Sequence, residues 1–252
     1  MDKIKLCELF GPTVEGEGRH IGMPFIFIRT SGCNLNCDYC DTKFSNRNNV
    51  DEREYTVGEI IDYIRQRSCR NVSITGGEPF YRSQRELDIF YELCKRIKDE
   101  TQCCDGVLKV ETNATLLEER FLGVIDFWSM SPKLEGMGEG LWYSKDVISK
   151  IIDKSKDCQI KFVIGCRKEN ETMERDLQVV KDLITELKII DELIVLQPEG
   201  STDNMIEYLD RGRLLVERIV NSNNKDWNFW KDINLQILPQ WHKLLWGNSR
   251  KK

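Results

Sequence analysis

The chain has 252 residues, 40% hydrophobic and 31% charged, with 37 basic against 42 acidic groups and a net charge of −5. This length supports one large domain with a sizeable core, and the composition is that of a soluble globular protein. The charge balance argues against a nucleic-acid surface held by phosphate contacts, and the lack of any apolar run of about 18 residues excludes a membrane-spanning helix.

The opening MDKIKLCELFGP lacks the basic stretch and apolar run of a secretory leader, so the chain is expected in the cytosol, with no membrane partner. PFIFIRT (24–30) reads as the first central strand. TVGEIIDYIRQ (56–66) carries apolar residues at helical spacing, with Thr56 as its cap and Glu59 completing a capping box. NVSIT (71–75) is a strand and 83–100 a helix; VLKVET (107–112) is a strand followed by a short helical stretch near 116–121. DFWSMS (126–131) and the helix 144–155 come next, then QIKFVI (159–164) and a long helix around 169–187. ELIVLQ (192–197), a helix around 202–221 and INLQIL (233–238) close the pattern, and WHKLLWG follows.

Strands separated by helices of this length imply βαβ crossovers and a parallel sheet. Six such units predict an α/β fold, an open, partial parallel barrel of about six strands, with a flat doubly wound sheet as the second choice. The segment around 46–53 is too short to separate domains, so residues 1–252 are expected to form one domain.

The unusual residues fall at the carboxyl ends of these strands. Arg29 ends the first, TGGEP (75–79) follows the second, and ETN (111–113) ends the third. SPK (131–133) ends the fourth and QPEG (197–200) the sixth. In parallel α/β folds that rim is where ligands bind, because the βα loops converge there. Turns and polar residues live at strand ends in any protein, but five such features on one rim point to a single site.

Ten cysteines in a cytosolic chain are more often ligands or buried hydrophobes than disulfides. Seven are scattered through strand-like and helical segments and read as small core residues, with Cys103 and Cys104 assigned no role. The other three, Cys33, Cys37 and Cys40, stand in SGCNLNCDYCDT (31–42) with spacing C-x3-C-x2-C and no fourth. Three thiolates can hold a cubane iron–sulfur cluster and leave one iron open to a small molecule. The alternative is a structural zinc with His20 as fourth ligand. Zinc fits less well, because His20 lies thirteen residues upstream and no second binding arm is present.

The cysteine spacing after a first strand, Tyr39 before the third cysteine and the GGEP loop after the next strand resemble the radical S-adenosylmethionine superfamily. That resemblance implies a 4Fe-4S cluster on Cys33, Cys37 and Cys40, whose open iron is chelated by S-adenosylmethionine. One electron then cleaves the sulfonium to methionine and a 5′-deoxyadenosyl radical. ELFGPTVEGEG, GMPFIFIRTSGCNLNC, CDT, TGGEP, ETN, MSPK, LQPEG and ILPQWHKLLWG, in that order, are similar to the 7-carboxy-7-deazaguanine synthase family. The similarity covers nearly the whole chain.

It implies conversion of 6-carboxy-5,6,7,8-tetrahydropterin to 7-carboxy-7-deazaguanine with loss of ammonia, on the route to 7-deazapurine nucleosides such as queuosine. It also implies Mg²⁺, a homodimer and an external electron donor of flavodoxin or ferredoxin type. No side chain is assigned to catalysis, since the radical and the metal carry the chemistry. Position by position, the resemblance places Thr42 on Mg²⁺. It places Tyr39, Asp41, Gly76, Gly77, Glu78, Ser131, Pro132, Lys133 and Gln197 around S-adenosylmethionine, with Asp41 a rival for the metal. Val14, Glu15, Gly16, Glu17, Arg29, Thr75 and His242 would surround the substrate, with Arg29 on its carboxylate. The segment 233–252 would close over the site. One departure stands out: the family usually has glutamine where this chain has Glu15, and an ionised glutamate only accepts hydrogen bonds. Another small radical enzyme, such as an activase acting on a glycine of a partner protein, is the nearest rival. A zinc-stabilised interaction module is the rival outside enzymes.

Overall fold

The computed structural model describes residues 3–46, 52–102, 105–135, 142–166, 171–221, 223–247 and 249. Cys103, Cys104, most of the segment around 46–53, the start of the helix expected from 169, and the basic tail from Arg250 lie outside the described residues.

Every predicted central strand is present: β2 (Pro24–Thr30), β4 (Val72–Gly76), β5 (Leu108–Thr112), β6 (Phe127–Met130), β7 (Cys158–Ile164), β8 (Leu193–Pro198) and the short β9 (Leu235–Ile237). They pair in parallel, in that order. Two further strands were not expected. β1 (Lys3–Val14) runs antiparallel to β2, and β3 (Arg53–Thr56) runs antiparallel to β1, giving one open sheet ordered β3-β1-β2-β4-β5-β6-β7-β8-β9. The start of β1 alternates as a half-buried strand should, with Ile4 and Leu6 buried between exposed Lys3 and Lys5. Gly11-Pro12 and the register shifts around it mask this pattern further along.

Helices α1 (Val57–Arg67), α2 (Gln84–Gln102), α3 (Lys145–Lys154), α4 (Glu171–Leu187) and α5 (Met205–Ile219) pack on one face of the sheet. That core takes alternate residues of each strand: Ile26 and Ile28, Val72 and Ile74, Leu108 and Val110, Trp128 and Met130, Ile160 and Phe162, Ile194 and Leu196, all fully buried. Caps set the helix starts. Thr56 accepts from the Glu59 amide at 3.2 Å, and the Glu59 carboxylate accepts from the Thr56 amide at 2.7 Å, the reciprocal box the sequence predicts. Asn204 caps α5 through the amides of Ile206 and Glu207, so that helix begins at Met205 rather than 202. The stretch expected to be helical near 116–121 is a 3-10 turn at Glu119–Gly123. After β9 the chain ends in α7 (Trp241–Trp246), preceded by the four-residue α6 (Trp227–Trp230). Among the described residues no helix is long and apolar enough to cross a membrane.

Candidate active site

The period of two that sends one set of strand residues into the helical core sends the other set to the opposite face. There the sheet carries Arg29 on β2, Thr75 on β4, Lys109 and Glu111 on β5, Ser129 on β6, Lys161 on β7 and Gln197 on β8. Most of them line a cavity of about 750 Å³, which residues from β1 through β8 surround. Strands spaced this widely across the sheet share one hollow because the sheet curves around it.

Cys33, Cys37 and Cys40 follow β2 on the cavity wall as free, half-buried thiols. Burial pushes the Cys33 thiol up to about 11 and raises Cys37 as well, so metal ligation is what would make them thiolates. N–H groups already point at the sulfurs. The Leu35 amide lies 3.4 Å from Cys33 Sγ, Asn113 Nδ2 3.9 Å from the same atom, and Asn46 Nδ2 3.4 Å from Cys40 Sγ. Such donors stabilise charge on cluster sulfurs, so the residues fit an iron–sulfur group. His20, the alternative zinc ligand, packs with ring centroids 5.6 Å from Phe25 and 4.5 Å from Phe127, at the amino end of β2. A seven-residue strand, about 20 Å long, separates that end from the cysteines.

At the end of β4, Gly76 has a φ of +121°, and a Cβ on Gly77 would overlap the carbonyl oxygen of Gly32. Glycine is required twice in succession for the loop to lie against the cysteine loop. Gly76, Gly77, Tyr39, Ser131 and Lys133 line the cavity, with Lys133 Nζ donating to Ser131 Oγ at 2.8 Å. Glu78 and Pro132 are not among the lining residues. Glu78 is fully buried and accepts from the Asn113 amide and Thr112 Oγ1, each at 2.8 Å, and from the Phe80 amide at 3.3 Å. Its carboxylate joins the β4 loop to the end of β5.

Also on the cavity wall, Arg29 Nε donates to Glu8 at 2.9 Å, and its guanidinium lies 5.9 Å from the Phe10 ring centroid and 5.7 Å from that of Phe44. The Nη groups make no hydrogen bond with any described residue. The fork is thus anchored at its base and available at its tip. Thr75 Oγ1 donates to Glu111 at 2.7 Å. Val14, Glu15, Gly16 and Glu17 form the adjoining wall. Glu17 is held by Lys161 and by Gln197 at 3.2 Å and Gln240 at 2.7 Å. Gln197 therefore sits with the Glu17 loop. Gln240 also donates to Asp41 at 3.2 Å, while the Trp241 amide donates to the Gly16 carbonyl at 2.8 Å. A Cβ on Gly16 would overlap the His242 ring. The carboxyl-terminal helix thereby lies directly against the early loop, and burial lowers the pKa of His242.

Two sets of residues bear on Mg²⁺. Thr42 Oγ1 lies on the cavity wall 3.6 Å from Cys40 Sγ. Separately, Glu17, Asp41 and His242 bring ligand atoms within 4.8 Å of one another. Oxygen donors around a cavity open to water suit a hard cation that keeps several waters.

Sequence reasoning missed Lys109, Lys161 and Gln240 as site residues and gave Glu111, in ETN (111–113), a place on the rim without a role. A signal existed for the two lysines: a charged residue between apolar ones inside VLKVET and QIKFVI marks a polar strand face. Gln240 carried none, because its partners come from loops distant in the chain.

Residues 27–127 match the Radical SAM superfamily. The chain is 32% identical to 7-carboxy-7-deazaguanine synthase of Clostridium acetobutylicum over 98% of each chain. It is 28% identical to the protein of the same name from Bacillus subtilis over 98% of each chain. It is also 28% identical to that of Pyrobaculum aerophilum, over 99% of this chain and 98% of the other. The crystal structure of QueE from Escherichia coli shares the fold, with a TM-score of 0.59 at 22% identity over 93% of each chain.

Proposed function

The chain belongs to the 7-carboxy-7-deazaguanine synthase family of radical S-adenosylmethionine enzymes, and from that premise we propose that it converts 6-carboxy-5,6,7,8-tetrahydropterin to 7-carboxy-7-deazaguanine and ammonia. One observation carries this reading: a single cavity has three free thiols on one wall and an anchored, outward-facing guanidinium on another. Cys33, Cys37 and Cys40 would hold the 4Fe-4S cluster, with Gly76, Gly77, Tyr39, Ser131 and Lys133 beside the S-adenosylmethionine. When bound, these groups supply a one-electron reductive cleavage that furnishes a carbon radical for hydrogen abstraction.

The chain's own residues do the rest. Arg29 receives the substrate carboxylate on its Nη groups, a geometry that suits a planar fork. Thr75, Glu111 and the Val14–Glu17 wall face the pterin edge, where the Glu111 carboxylate accepts from its N–H groups. His242 and α7 cover the bound ring and exclude water. Thr42 supplies a hydroxyl to Mg²⁺, with Asp41 beside it. We further propose a cytosolic homodimer reduced by a flavodoxin or ferredoxin, with residues 233–252 closing the single domain.

The test is turnover by anaerobically reconstituted protein given S-adenosylmethionine, Mg²⁺, a reductant and 6-carboxytetrahydropterin. The expected result is product and ammonia in equal amounts, lost on chelation of Mg²⁺. No product from protein with an intact cluster would overturn the reading and favour an activase. In the same assay Arg29→Ala weakens the pterin by roughly 100-fold or more, as loss of a charge-assisted pair implies, and leaves S-adenosylmethionine affinity unchanged.

A further inference from the structure

Lys109 is the second residue of β5, between Leu108 and Val110, whose side chains enter the helical core. Its own side chain is completely inaccessible to solvent and points the other way, toward the cavity floor. A lysine so placed needs carboxylate partners, since a buried ammonium without them is costly. It has two: Nζ donates to Glu15 Oε2 at 2.6 Å and to Glu111 Oε1 at 2.9 Å. Burial opposes the charge, but Glu111 and Glu15 together outweigh it and hold the ammonium protonated.

Glu15 is occupied on every side. Its Oε1 accepts from the amides of Gly16 at 2.9 Å and Glu17 at 3.3 Å. Its amide donates to the Met23 carbonyl at 2.7 Å, and its carbonyl accepts from the Gly22 amide at 2.8 Å. Glu111, in contrast, has a side chain 23% exposed, lines the cavity and, among the described residues, receives Thr75 on its second oxygen. The result is a continuous relay from the Gly16 and Glu17 amides through Glu15, Lys109 and Glu111 to Thr75, crossing from the early loop to β5 and β4.

We propose that Lys109 is a positioning residue for the pterin substrate: it draws the Glu15 carboxylate onto its own loop and leaves Glu111 as the carboxylate that meets the ligand. Glu15 then shapes the wall rather than reading the pterin. Lys161 serves Glu17 in a similar way from β7, so two strand lysines secure the two glutamates of one short loop. This inference deepens the assignment above and rests on it for the identity of the ligand.

The relay makes the two residues interdependent, and a double-mutant cycle reads that dependence. In Glu15→Gln the new amide N–H₂ meets either the ammonium or the Gly16 and Glu17 amides, donor to donor in both orientations. In Lys109→Gln the carboxylates of Glu15 and Glu111 lose their shared cation. In the double variant a glutamine pair restores a neutral donor–acceptor line to Glu111. The expected result is that each single variant raises the substrate Kd at least tenfold, the double returns to within about threefold of wild type, and S-adenosylmethionine affinity and cluster content stay constant. Hydrogen exchange of residues 14–19, measured without substrate, is faster in each single variant and recovers in the double. A double variant no better than Glu15→Gln, equal loss of both ligands, or unchanged exchange in that segment would each overturn the proposal. The wild-type turnover assay separates this outcome from failure of the functional assignment, because the exchange measurement needs no substrate.

Discussion

Gly77 shows how little room the site leaves at the scale of one residue. A methyl group there would collide with backbone rather than with a flexible side chain, so Gly77→Ala is expected to displace the two loops and abolish detectable S-adenosylmethionine binding while the far-ultraviolet spectrum stays native. Calorimetric titration checks both ligands in one sample. Glu78 makes a different prediction. Burial pushes its carboxyl up to about 7 from 4.5, against the hydrogen bonds from Asn113 and Thr112. Its folded-state pKa lies above the unfolded value, so its contribution to stability is complete below pH 4.5 and is lost as pH rises through 7. Thermal unfolding of the protein without S-adenosylmethionine should show this decline, and Glu78→Gln should flatten it. The resemblance places Glu78 around S-adenosylmethionine; its contacts tie the β4 loop to the end of β5.

The elements were largely legible because their signals are local. Apolar runs bounded by turns located the parallel strands, and Thr56 with Glu59 located the start of α1 to the residue. Removing that cap with Thr56→Ala should cost about 1 kcal/mol and lower the thermal midpoint by roughly 2–4 °C, measurable by calorimetry on the anaerobic holoprotein. β1 and β3 were missed for a physical reason. An edge pair is defined by partners distant in sequence, and the Gly11-Pro12 interruption breaks the alternation that would have revealed the longer strand. The same locality explains the site. Cysteine spacing and glycine pairs are read along the chain, whereas the pairing of Lys109 with Glu15 exists only after the sheet has curved.

At the scale of the whole molecule, one cavity answers to two kinds of chemistry. The anaerobic holoprotein should be brown and oxygen-sensitive, with about four irons and four sulfides per chain, as expected of a cubane cluster. Alanine at Cys33, Cys37 or Cys40 should remove that colour, and metal analysis checks both statements. Closure of the cavity by α7 depends on Gln240, whose amide reaches Glu17 and Asp41 together. Gln240→Ala should free α7, seen as faster limited proteolysis after β9 with iron content unchanged. The tie also sets an order of manufacture. Synthesis delivers the thiol-bearing loop early and its roof last, so a growing polypeptide presents an uncovered ledge to whatever loads the inorganic core. Only when α7 has docked on Gly16 and Glu17 does that ledge become a chamber.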